Sequence, residues 1–125
     1  MSRQVLVVDD SVLMRRLVRD TLQTDGWEIA GEASSGREAI EQYEKLRPDV
    51  VTLDIIMPGM DGMDALTAII RMDPNAKVIV VSALNQTRLI SEAIRHGAQD
   101  FIAKPFLPEQ LQHTLRACLE ASDDR

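Results

Sequence analysis

Short apolar runs alternate along the chain with longer stretches in which apolar residues recur every three or four positions. Val5 to Val8, Val50 to Leu53 and Val78 to Val81 are unbroken and rich in β-branched residues. That is the pattern of strands covered on both faces. Phe101-Ile102-Ala103 is a shorter run of the same kind. Trp27 to Ala33 is weaker, with Ile29 as its only large aliphatic residue, and reads as a strand at the edge of a sheet. Between these runs lie helical stripes: Met14, Leu17, Val18 and Leu22; Ala39, Ile40, Tyr43 and Leu46; Ala65, Leu66, Ile69 and Ile70; Leu89, Ala93 and Ile94; Leu111, Leu115, Cys118 and Leu119.

The punctuation agrees with this division. Ser11 can cap the first helix, and Gly26 stops it. Ser35-Gly36-Arg37-Glu38 has the form of a capping box, and Pro48 ends the second helix. Met57-Pro58-Gly59 breaks the chain after the third strand, and Asp61-Gly62 leads into the third helix, which Asp73-Pro74-Asn75 closes. Gly97 stops the fourth, and Pro108 with Glu109 suits the first turn of the fifth. Strand and helix thus alternate five times. Such alternation predicts an α/β fold, a doubly wound parallel five-stranded sheet with helices on both faces. The apolar strands one, three, four and five are expected at interior positions, or at least covered on both faces.

In a parallel sheet all carboxyl ends lie along one edge, where α/β proteins place their chemistry. That edge gathers Asp9 and Asp10 from the first strand, Asp54 from the third, Ser82 from the fourth and Lys104 from the fifth. Three neighbouring carboxylates raise one another's pKa and call for a cation. An oxygen-only cluster without histidine or cysteine suits Mg²⁺, with Mn²⁺ as the alternative. Lys104 and the Ser82 hydroxyl suit phosphate oxygens. Acids, metal, lysine and hydroxyl together describe a site for a transferring phosphoryl group. A carboxylate can attack phosphorus to give an acyl phosphate. Asp54, alone at the middle strand, is the candidate for that role, and Asp9 and Asp10 are better placed for the metal.

Composition narrows the setting. A chain of 125 residues with a net charge of −6 suits one domain spanning 1–125, and argues against non-specific binding to nucleic acid or anionic membranes. One cysteine, Cys118, cannot form an internal disulfide, which fits a reducing compartment. No apolar run approaches the roughly 20 residues of a bilayer span, and the start lacks a basic-then-apolar signal pattern. A cytoplasmic protein is expected, with Asp123-Asp124-Arg125 as a frayed polar tail.

V-L-V-V-D-D, P-D-V-V-T-L-D-I-I-M-P-G-M-D-G, V-I-V-V-S-A and G-A-Q-D-F-I-A-K-P-F together resemble the receiver domain of two-component response regulators, from Gln4 to about Leu119. The resemblance implies a flavodoxin-like (βα)5 fold with strand order 2-1-3-4-5. It makes Asp54 the phosphoacceptor, Asp10 a direct ligand of Mg²⁺, Asp9 the holder of metal-bound water, and the Ile56 backbone carbonyl the third protein ligand. Ser82 and Lys104 would bind phosphoryl oxygens. Phe101 would be a switch residue that moves inward as Ser82 is drawn to the phosphoryl group, and Lys104-Pro105 a cis peptide. The implied donor is a phosphohistidine on a kinase. The implied output is a changed affinity for a protein target, such as a flagellar motor switch or another effector, at the fourth helix, fifth strand and fifth helix. A phosphatase is a further implied partner. The chain would be a monomer or a weak homodimer, and a signalling protein that supports its own phosphorylation and dephosphorylation more than an enzyme. The positions of Ile56 and Leu84 flank the route of attacking water in receivers and are often polar. Both are apolar here, which implies slow self-dephosphorylation. Phe101 replaces a tyrosine, so partner recognition cannot use a hydroxyl there.

With no further element after the last helix, a stand-alone receiver of the chemotaxis type is expected; a receiver cut from a longer regulator is the alternative. A haloacid-dehalogenase-type phosphatase would need D-x-D after the first strand, where the chain reads Asp9-Asp10-Ser11. A flavin-type cofactor binder would need a hydroxyl- and glycine-rich loop there, and two acids oppose a bare phosphate. A receiver that binds partners without phosphorylation would not need the intact acid set. Taken singly, Asp9-Asp10 reads as a turn and cap, Lys104 as a surface lysine, Ser82 as a cap and Phe101 as packing. Met57, Met60 and Met63 read as gap-filling residues, His96 and His113 as solvated, and Cys118 as core.

Overall fold

The computed structural model describes residues 3–57, 62–83 and 86–123, with backbone alone for 121–123. Pro58, Gly59, Met60, Asp61, Leu84 and the last two residues of the tail lie outside the described residues. Ten elements follow in strict alternation: β1 Gln4–Val8, α1 Val12–Thr24, β2 Glu28–Ala33, α2 Gly36–Leu46, β3 Val50–Asp54, α3 Gly62–Met72, β4 Val78–Ala83, α4 Thr87–Arg95, β5 Asp100–Lys104 and α5 Pro108–Asp123. The strands form one parallel sheet in the order β2-β1-β3-β4-β5.

The pleat sorts the side chains of β1. Val5 and Val7 face a cluster with Val18, Leu22, Trp27, Leu111, Leu115 and Cys118, beneath α1 and α5. Leu6 and Val8 face the opposite cluster, with Ala39, Tyr43, Leu66, Ile69 and Ala93 from α2, α3 and α4. Covering on both faces is why the inner strands are unbroken apolar runs rather than alternating ones. Cys118 is buried in the α5 stripe, and burial pushes its thiol pKa up to about 11.

Several expectations change in detail. β5 is the edge strand that the order 2-1-3-4-5 implies, not the interior or doubly covered strand that its apolar run suggests; Asp100 and Phe101 are exposed and only Ile102 is fully buried. Its apolar character follows from covering by α5 on one face, without a neighbour along its outer edge. Leu17 and Ile94 lie on the shoulders of their helices and are 47% and 44% exposed. The Ser35 hydroxyl accepts from the Glu38 amide at 3.2 Å as a cap should. The returning arm of the box reaches one residue further: Glu38 accepts from the Ser34 amide and hydroxyl, both at 2.6 Å.

Candidate functional site

Parallel pairing sets the site. Val8 lies beside Leu53 across β1 and β3, Asp54 beside Val81 across β3 and β4, and Ala83 beside Lys104 across β4 and β5. The strands therefore run out together, and the next residues of each meet at one edge. Ligand-atom oxygens of Asp9, Asp10 and Asp54 all lie within 4.8 Å of one another. The Lys104 ammonium donates to Asp9 Oδ2 at 3.1 Å and stands 3.5 Å from Asp54 Oδ2. Asp9 and Asp54 are buried, while Asp10 is exposed at the mouth.

Backbone groups orient the acids. The Ser11 amide donates to Asp9 Oδ1 at 2.9 Å, and the Ser11 hydroxyl accepts from the Met14 amide, opening α1. The Ile56 amide donates to Asp54 Oδ1 at 3.2 Å. Burial is the main cause that pushes the Asp54 carboxyl above the usual range, with the Asp9 charge adding to it. Lys104 and the Ile56 amide pull in the other direction without overcoming it. One ammonium among three carboxylates leaves the cluster short of positive charge.

Ser82 sits at the buried end of β4, and its hydroxyl oxygen has no hydrogen-bond partner among the described residues. A buried polar atom left this way is costly unless something else occupies the site. The donor set fits a cation and an anion together. Asp9, Asp10 and Asp54 could hold the metal, and the Ser82 hydroxyl and Lys104 ammonium are donors suited to the anion. The Ile56 side chain is 53% exposed. Leu84, its expected companion beside the site, lies outside the described residues. Phe101 is 42% exposed and borders a groove of about 430 Å³ with Ile102, Pro105, His113 and Thr114. Lys104-Pro105 is cis. His96 and His113 are exposed; the His96 Nδ1 lies 3.3 Å from the Thr67 hydroxyl.

Two residues that support the site were given no role in it by the pattern. Arg15 donates to the Asp9 carbonyl oxygen at 2.7 Å while pairing with Glu32 at 3.2 Å, which ties the end of β1 to β2. Gly62 packs directly on the end of β3. Arg15 lies on the first helix among other arginines, and nothing in its spacing separates it from them.

Residues 5–116 match the family described as the response regulator receiver domain. The chain belongs to that family. This receiver is 50% identical over 115 residues to the chemotaxis protein CheY of Thermotoga maritima, covering 92% of this chain and 96% of that one. It is also 50% identical over 105 residues to a protein-glutamate methylesterase/protein-glutamine glutaminase of Pyrococcus abyssi, of which the match spans 28%. The CheX-CheY-BeF3-Mg²⁺ complex of Borrelia burgdorferi contains a chain of the same fold, with a TM-score of 0.90 at 35% identity over 94% of this chain and 89% of that one. CheY-like receivers are signalling proteins of two-component systems rather than enzymes in the usual sense, and the CheY relatives support a place in chemotaxis. Among the described residues no helix of this receiver is long and apolar enough to cross a membrane.

Proposed function

We propose that this receiver is a cytoplasmic switch, one domain over 1–125, thrown by phosphorylation of Asp54. The observation that carries this reading is the grouping of Asp9, Asp10 and Asp54 oxygens around the reach of one lysine. An Asp54 carboxylate oxygen attacks the phosphorus of a phosphohistidine on a kinase. The P–O bond forms as the P–N bond breaks, and the imidazole leaves with the electron pair and takes a proton. Mg²⁺, or Mn²⁺ in its place, would neutralise the charge that gathers on the carboxylates and phosphoryl oxygens. Lys104 holds one phosphoryl oxygen as a point charge. Ser82 donates its unpartnered hydroxyl to another, and Phe101 leaves its exposed position as Ser82 is drawn in. The altered face of α4, β5 and α5 then changes its affinity for a protein target, such as a motor switch or another effector.

The test is intact mass after incubation with Mg²⁺ and acetyl phosphate. One phosphoryl adduct is expected, absent with chelator and absent in Asp54→Asn. No adduct from either acetyl phosphate or a phosphorylated histidine kinase would refute the reading.

A further inference from the structure

Gly62 opens α3, and its α-carbon is pressed against the end of β3. A β-carbon built there would fall on the Asp54 carbonyl oxygen, and would lie 2.5 Å from the Ile55 α-carbon and 2.6 Å from the Ile55 carbonyl oxygen. All of these are backbone atoms, so no rotamer change relieves the overlap. The Gly62 amide donates to that same Ile55 carbonyl at 2.7 Å. The chain thus leaves β3 at Asp54 and returns at Gly62 to clasp the residue after it. Gly26 and Gly97 have positive φ; Gly62 does not. What the position requires is therefore the missing side chain and not the left-handed backbone that glycine usually supplies.

The clasp bears on the site because of which atoms it holds. Ile55 is the residue between Asp54 and Ile56, and the Ile56 amide donates to Asp54 Oδ1. Moving Ile55 by the ~1 Å needed for ordinary carbon contact would shift the Asp54 carboxylate and the Ile56 peptide together. Mg²⁺ demands near-ideal octahedral geometry and tolerates such shifts poorly.

We propose that Gly62 is a positioning residue for metal binding: its bare α-carbon lets the start of α3 clasp β3, so that Asp54 and the Ile56 carbonyl serve one cation. The inference rests on the assignment of this edge as a Mg²⁺ site. Two measurements test it. In the first, Mg²⁺ is titrated calorimetrically into the wild type, Gly62→Ala and Leu115→Ala, at a temperature where circular dichroism shows each folded. Leu115, on α5, is buried in the cluster on the other face of the sheet, so its variant controls for lost stability alone. Gly62→Ala is expected to bind Mg²⁺ about 10–100-fold more weakly, and Leu115→Ala within about twofold of the wild type. Equal affinity of Gly62→Ala and the wild type would overturn the inference.

The second needs no variant, and so stands even where Gly62→Ala does not fold. If opening the clasp destroys the metal site, Mg²⁺ at a hundred times its Kd slows amide exchange of Gly62 in the wild type about a hundredfold. The His96 amide, which donates within the last turn of α4, serves as the locally exchanging control and stays unchanged. Mg²⁺ that binds the wild type without slowing Gly62 exchange would overturn the clasp. Mg²⁺ that does not bind the wild type at all would overturn the metal site itself, and the clasp with it.

Discussion

Where the strands begin, Asp73 accepts from the Tyr43 hydroxyl at 2.7 Å and the Asn75 amide at 3.1 Å, with the Arg47 guanidinium 3.6 Å away. Nearby, Asp49 accepts from the Gln4 amide at 2.7 Å. Where the strands end, Asp54 shares Lys104 with Asp9, beside a Ser82 hydroxyl that has no partner among the described residues. The carboxyls respond in opposite directions. Hydrogen bonding from Tyr43 holds Asp73 below the ordinary carboxyl range, whereas burial holds Asp54 above it. Asp73 has been given its partners inside the chain and contributes to holding α2 on α3. Asp54 has the Ile56 amide and a share of Lys104, which do not offset its burial, and a cation and an anion from solution can make up the difference. Stability is built at one edge of the sheet and binding capacity at the other.

Mg²⁺ should separate the two edges most clearly. At a hundred times its Kd it is expected to stabilise the wild type by about 2.7 kcal/mol in urea unfolding. Asp10→Asn should lose most of that gain, and Tyr43→Phe should keep all of it. A Mg²⁺ gain that survives Asp10→Asn would place the ion elsewhere.

Tyr43→Phe is expected to cost ~1–3 kcal/mol, since it deletes a hydrogen bond to a charged acceptor. The pH dependence carries the sign. Asp73 has a lowered pKa, so its contribution is present above the ordinary carboxyl value and is lost as pH falls through its folded pKa. Burial, then the hydrogen bond to Asp73, raises the Tyr43 pKa. That contribution is present below the ordinary phenol value and is lost as pH rises beyond it. The difference between wild type and variant should therefore be flat through neutral pH and shrink at both extremes. A difference that peaks in acid would break the assignment.

Asp54→Asn should act in the opposite sense, stabilising the metal-free protein by ~0.5–2 kcal/mol at neutral pH. Because the Asp54 pKa is raised, its charged form opposes folding above that pKa. The advantage of the variant should fade as pH falls through the raised value towards the ordinary carboxyl range. A destabilised Asp54→Asn, measured in chelator, would show that Lys104 already satisfies the site. The smallest effect concerns lifetime. Ile56→Asn with Leu84→Glu should speed loss of phosphate several-fold, a change in barrier of about 1 kcal/mol. Equal decay rates would remove the proposed link between apolar flanks and slow dephosphorylation.

Legibility in the sequence tracked the same physics. Asp9, Asp10, Asp54, Ser82 and Lys104 could be placed together because one-way strands bring all carboxyl ends to one edge, and each residue closes or follows an apolar run. β2 could not be read as an alternating strand, for a structural reason. Its pairing with β1 slips by one residue between Ile29 and Gly31. Ile29 therefore packs with the α1 and α5 cluster while Ala33, an even number of residues on, joins the opposite one. A bulge of this kind resets the two-residue period, and no simple alternation survives it. β5 misled because apolar content reports covering by helices, not rank within the sheet. The pattern marks Gly62 only as the way into α3 and does not single out Arg15, because their support of the site depends on contacts with backbone atoms, which leave no periodic trace.

The burial of Cys118 has a practical consequence for following the switch in solution. Burial inside the α5 cluster pushes its thiol pKa up to about 11, so the thiol stays protonated at neutral pH, and attack requires the thiolate. Maleimide dyes should leave it untouched in the folded protein. A cysteine introduced at exposed Thr87, the first residue of α4, could then carry a single fluorophore without removing the native thiol. The chain already supplies the silent background that a reporter of α4 movement needs.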